Sequence, residues 1–168
     1  MTLLFLLLLL LGPYLLLTLL GRWIVRFRIA SSKRARVGLS LFFVITASQH
    51  FINTQPMAAM IPPAIPYRTE IVYLTGVLEL LGAIGVWIPR LVRLTGLLLI
   101  LMLIAILPAN LYSAINRIEF GGHGAGVAYL LVRIPFQLFV MWWTYFATEQ
   151  DWFGRQTKRN ARQPQTVD

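Results

Sequence analysis

Five apolar runs separated by four polar segments organise this chain. The runs cover residues 3–20, 37–53, 71–88, 94–113 and 127–147. Each approaches or exceeds the roughly 18 apolar residues that cross a bilayer as a helix. The pattern predicts an all-α fold, a polytopic membrane helical bundle. It divides into an N-terminal hydrophobic span over residues 1–20, four core transmembrane helices over 36–147 and a polar tail over 148–168 that frays. In the first run 13 of 18 residues are leucine. It lacks the basic start and the A-x-A site of a signal peptide, so it reads as an uncleaved span. Gly12 and Pro13 mark a kink in it, and its uniform composition directs it toward lipid or a partner helix.

The connecting segments differ in character. Residues 21–36 form a basic connector, and 54–69 a proline-rich loop that is non-helical across Pro62, Pro63 and Pro66. Residues 89–93 make a tight turn, and Gly121, Gly122 and Gly124 lie in the segment that precedes the fifth run. Basic residues of short loops collect on the cytoplasmic side of a membrane. The connector, the 89–93 turn and the tail hold twelve of them, whereas the 54–69 and 114–126 loops hold Arg68 and Arg117 alone. This places the N-terminus outside and the C-terminus in the cytoplasm. Trp23, Trp142, Trp143, Tyr145 and Trp152 fit an inner interfacial belt.

Composition supports the membrane reading. The chain is 58% hydrophobic and 12% charged, with a mean hydropathy of +0.71, against about 45–50% and about 25% for soluble domains. The net charge of +9 does not indicate nucleic acid, because the basic residues flank apolar runs and form no groove interleaved with aromatics. There is no cysteine, which excludes disulfides, thiol chemistry and cysteine-ligated clusters within the chain. His123 has no second ligand near it in sequence, so no metal centre is expected. Phosphate-loop, dinucleotide and zinc-protease motifs are also missing.

Against this apolar background four polar residues stand out. Glu79 lies near the middle of the third run, and a carboxylate there costs roughly 2.5–3.5 kcal/mol on insertion scales. His50, Asn110 and Arg133 interrupt or end other runs. At 1.5 Å per helical residue they lie about 5, 5 and 9 Å from the outer ends of their spans, and Glu79 about 12 Å. All four therefore fall in the outer half of the bilayer. Thr75, Gly76, Glu79, Gly82 and Ala83 share one helical stripe, whose small residues turn Glu79 into a bundle. His50 shares a face with Asn53, and Arg133 with Gln137. Pro108 frees a carbonyl near Asn110, and Pro135 does the same near Arg133. An outward-facing pocket follows. His50 and Glu79 are its candidate catalytic groups; Asn53, Tyr73, Asn110, Tyr112, Arg133 and Gln137 are its candidate ligand-binding groups, and the 54–69 loop is its lid. Two readings of Glu79 and Arg133 remain open: a structural ion pair, or a ligand or proton site.

Short motifs recur in a fixed order through the core. They are His50-Phe51 with Pro56, Met60-Ile61-Pro62-Pro63-Ala64-Ile65-Pro66, Tyr73-Leu74-Thr75-Gly76 leading to Glu79, Pro89-Arg90, Pro108-Ala109-Asn110-Leu111-Tyr112 and Arg133-Ile134-Pro135-Phe136-Gln137. As a set they resemble the DoxX-like family of small bacterial membrane proteins, over about residues 36–145. The resemblance implies a four-helix membrane bundle serving a quinone-linked or thiol- and sulfur-linked oxidoreductase system. The N-terminal span departs from that four-helix core, and a cysteine-based role cannot transfer to a chain without cysteine. The expectation is thus a membrane subunit of a redox system that binds quinone, holds no cofactor covalently and takes electrons from a partner. The alternatives are an assembly or anchoring subunit, and a small-solute or proton pathway. Expected partners are the lipid bilayer and a protein subunit or a second copy of the chain, with no nucleic acid.

Overall fold

The computed structural model describes residues 3–23 and 30–160, with Trp23 and 150–160 described at the backbone only. Among the described residues the chain is helical, with no strand. The elements are α1 (Leu3–Trp23), α2 (Ser31–Ile52), α3 (Thr54–Ala59), α4 (Arg68–Gly85), α5 (Val92–Ile115), a 3₁₀ segment (His123–Tyr129) and α6 (Leu130–Asn160). Four helical stretches, lying in α1, α2, α5 and the 3₁₀ segment with α6, are long and apolar enough to cross a membrane. α4 has 18 residues, about 27 Å of helix, and carries Arg68, Glu70 and Glu79. Leu97, Leu98, Leu101 and Ile104 on α5 and Leu131 and Leu138 on α6 are exposed. An apolar exterior of this kind suits lipid.

Several boundaries differ from the sequence pattern. α2 begins at Ser31 and absorbs Lys33, Arg34 and Arg36 from the basic connector. Part of the proline-rich loop is helical: α3 takes its first six residues. Pro56 sits in the first turn of α3, where a missing amide breaks no helical bond. The helix stops before Pro62, Pro63 and Pro66. α4 ends at Gly85, and turns carry the chain to α5. The tail does not fray at 148, because α6 continues through Asn160; residues 161–168 lie outside the described residues.

α2 is the centre of the bundle, packed against α1, α4 and α6, while α5 packs against α6 and α4. Leu6 and Leu10 of α1, Leu39, Phe42 and Phe43 of α2, and Val140 and Trp143 of α6 share the core. α1 is therefore not only a lipid-facing span. A Cβ on Gly38 would collide with the Leu10 carbonyl, so glycine is what lets these two backbones meet. Arg34 Nη1 donates to Thr18 Oγ1 at 3.0 Å and lies over the Tyr14 ring. Trp143 is also not an interfacial residue: it is 5% exposed and meets Tyr14 edge to face at 5.3 Å. Trp142 and Tyr145 are exposed. The side chains of Trp23 and Trp152 lie outside the described residues.

The basic end of the bundle is tied by polar contacts. Arg36, a topology signal in the sequence, is buried and donates Nε–H to the Ala147 carbonyl at 2.9 Å. Trp87 Nε1 donates to Ser40 Oγ, which donates to the Ala83 carbonyl. Arg93 pairs with Glu149 at 3.1 Å. α3, the residues after it and the 3₁₀ segment lie at the opposite end.

Candidate functional site

α4 approaches α2 through its small residues. A Cβ on Gly76 would meet His50 Cβ and the Phe51 ring, so this glycine brings the His50 ring against α4. His50 Nδ1 lies 3.0 Å from the Val72 carbonyl and 3.0 Å from Thr75 Oγ1. The Thr75 hydroxyl is directed at the Ile71 and Val72 carbonyls. Val72 O only accepts, so Nδ1 carries the proton. Nε2 then faces Glu79 Oε1 at 3.5 Å. This contact needs one proton between ring and carboxyl, and the pair is neutral whichever group holds it.

The expected Glu79–Arg133 ion pair does not form. Glu79 pairs with His50, and its Oε2 is buried without a hydrogen-bond partner. Arg133 feels the field of Glu79 and Tyr129, but its Nε is also buried without a partner. The reason is reach: His50 comes from the helix packed most extensively on α4, whereas α6 packs on α2 and α5.

Asn110 and Gln137 join α5 to α6. Asn110 Nδ2 donates to Gln137 Oε1 at 3.2 Å, and Gln137 Nε2 donates to the Leu103 carbonyl. That carbonyl lies one residue before Ile104, whose own acceptor loses its helical donor at Pro108. Asn110 is 1% exposed, and its Oδ1 has no partner.

These groups line one cavity of about 940 Å³ between the helices at the end opposite the basic face. His50, Asn53, Glu79, Asn110, Arg133 and Gln137 all contribute to its wall. The rest is mainly apolar and includes Met57, Met60, Ile106 and Phe136. Asn53 also donates to Gln49 Oε1 at 2.8 Å. α3 and the prolyl segment supply Met57, Met60, Ile61 and Pro62, so the predicted lid does border the cavity. Two expected residues do not. Tyr73 is 44% exposed and stacks on Phe51, because it lies on the far side of α4 from the small-residue stripe. Tyr112 is half-buried away from the cavity, where its carbonyl accepts from Asn116.

The sequence reading missed His123, Tyr129 and Gln49, all on the wall. His123 is 2% exposed. Its Nδ1 donates to the Phe120 carbonyl at 2.8 Å, its ring meets Tyr129 edge to face at 4.9 Å, and its Nε2 has no partner. Gly122 makes this possible. It has φ of 100°, and a Cβ there would strike the Tyr129 ring. The glycine cluster was the available signal: it marks a sharp fold-back into the bundle, not an open loop. No group of three or more metal-ligating side chains occurs among the described residues.

Helices, an apolar exterior and an internal cavity with a few polar residues together define an all-α membrane bundle protein. The chain belongs to the family described as Domain of unknown function (DUF8561), whose model matches residues 39–148. The match takes in every cavity residue discussed above and excludes α1. No curated protein and no solved structure matches the chain.

Proposed function

We propose that this protein is an integral membrane subunit of a bacterial redox system, quinone-linked in preference to thiol- or sulfur-linked. One observation supports the reading: Glu79, Asn110 and Arg133 line a single largely apolar cavity, and each has a buried atom without a partner, Oε2, Oδ1 and Nε. Buried polar atoms are normally satisfied, so a ligand with polar groups on an apolar body suits them. A quinone head has carbonyl acceptors on an apolar ring. Arg133 Nε–H would donate to one carbonyl, and the proton held between His50 and Glu79 would be available to the other. Reduction to the quinol consumes two electrons and two protons. With no cysteine, and two histidines on separate elements, the chain calls for electrons from a partner protein. The DoxX-like resemblance supports the same role. With the basic end cytoplasmic, the cavity opens toward the outer leaflet of the inner membrane.

A second reading is an assembly subunit. It is favoured by the His50–Glu79 contact and the Asn110–Gln137–Leu103 chain, each of which clasps two helices. Purification in a gentle detergent, followed by mass spectrometry of bound quinones and chains, separates the two. The redox reading expects quinone in the native protein and its loss in Glu79→Gln. A stoichiometric partner with no quinone in either sample supports the assembly reading and defeats the first.

A further inference from the structure

We infer that the 3₁₀ side of the cavity is a carboxyl-binding subsite formed by Arg133, His123 and Tyr129. The inference begins with charge. Arg133 lines the cavity and makes no ion pair with any described residue. Arg133 is half-buried, and its Nε, withdrawn from water without a partner, is costly to leave unmet. Glu79 is turned to His50 and makes no ion pair with Arg133. Glu119 borders the cavity from the loop before the 3₁₀ segment, but it is exposed and unpaired with Arg133. The charged and titratable groups around Arg133 are thus Glu79, His50, Glu119, His123 and Tyr129, and none forms an ion pair with it.

His123 adds the second half of the recognition. Its Nδ1–H is committed to Phe120 O, which leaves Nε2 as a buried lone pair without a partner, on a residue of the cavity wall. It lies within the field of Arg133. One donor and one unsatisfied acceptor on residues of the same wall are what a carboxyl group complements. One oxygen accepts from Arg133, and the other shares a proton with His123 Nε2. When the ligand arrives as a carboxylate, that proton comes from water, so one anion and one proton bind together. The apolar wall beside this pole includes Leu101, Leu103, Ile106 and Val140, which suits a hydrocarbon chain. The inference does not rest on the quinone reading, in which His123 and Tyr129 have no part.

The test uses the full chain in lipid nanodiscs, with empty nanodiscs subtracted, titrated calorimetrically with oleate, oleyl alcohol and benzoate. Oleate should bind at least about tenfold more tightly than oleyl alcohol, as expected for a charge-assisted hydrogen bond. Arg133→Gln should lose about that factor for oleate and leave the alcohol unchanged, and Arg133→Lys should recover part of it. Titrations at neutral pH in buffers of different ionisation heat should show about one proton taken up, and none in His123→Gln. Competition by benzoate at equal affinity would identify an aqueous carboxylate as the source; selectivity for oleate would identify a bilayer-borne one. Equal binding of oleate and oleyl alcohol by the native protein overturns the proposal, even where a variant fails to fold. Co-purified quinone reports on the redox reading separately, because His123→Gln leaves the His50–Glu79 pair untouched.

Discussion

His50 Nε2 lies 3.5 Å from Glu79 Oε1, and this contact joins α2 to α4. It gives the buried carboxyl a partner on the neighbouring helix and leaves Arg133, a residue of the cavity wall, without an ion pair among the described residues. Glu79→Leu should destabilise the bundle by about 1–3 kcal/mol, because His50 is stranded. Glu79→Gln should cost less than about 1 kcal/mol, since its amide can donate to the Nε2 lone pair. Thermal unfolding in detergent measures both, and equal losses would contradict the proton-sharing geometry.

Gly38→Ala should separate α1 from α2. The added methyl group has no space beside the Leu10 carbonyl. A loss of about 1–3 kcal/mol is expected for overpacking. Cysteines placed at Thr18 and Arg34, whose side chains are hydrogen-bonded in the native protein, should crosslink less efficiently when Gly38→Ala is also present.

Arg36 and Arg93 should differ despite equal charge. Arg36 is buried and bonded to the Ala147 carbonyl, so Arg36→Leu should cost about 1.5–3 kcal/mol. Arg93 pairs with Glu149 at an exposed position, and Arg93→Leu should cost no more than about 1 kcal/mol. Denaturation of the two variants side by side checks the order.

Asn110→Leu and Gln137→Leu should be non-additive. Each single change strands its partner in a bond that links α5 to α6, at about 1–3 kcal/mol. The double variant leaves neither group stranded. A double-mutant cycle should therefore give a coupling of at least about 0.5 kcal/mol; a coupling near zero would mean the bond does not form.

Accessibility tags give the orientation. A tag in residues 89–93 should be protected in intact cells, and one in residues 116–122 should be labelled from outside. The reverse pattern would turn the cavity toward the cytoplasm and remove the outer-leaflet reading.

Much of the fold was legible because bilayer-length apolar runs are a strong signal. The stripe from Thr75 to Ala83 correctly turned Glu79 inward, since helical periodicity is local. Partner choice was not legible. Nothing in the spacing of Glu79 and Arg133 says that α2 lies nearer to α4 than α6 does, so the pairing with His50 depended on packing. Arg36 and Trp143 misled for a related reason: basic and aromatic residues at helix ends usually mark an interface, and only tertiary contacts reveal that these two point inward. Tyr73 and Tyr112 were assigned by nearness in sequence, which ignores the 100° turn between successive helical positions. His123 was overlooked because a glycine cluster reads as exposed loop until the fold-back under α6 is known.

The glycines on either side of Glu79 bear on its freedom of movement. Gly76 lies one turn before it against His50 and Phe51, and Gly82 one turn after it against Leu99. The neighbouring side chains fill both gaps, so the α4 backbone on either side of Glu79 is held close to α2 and α5. The Glu79 contact with His50 through Oε1 then fixes the carboxyl plane, so Oε2 holds a defined direction while itself bonded to nothing. A group held this way need not reorganise when its counterpart arrives. It should act as a rigid gauge of what fits: enlarging Gly76 or Gly82, neither of which lines the cavity, would shift the carboxyl and with it the selectivity of the cavity.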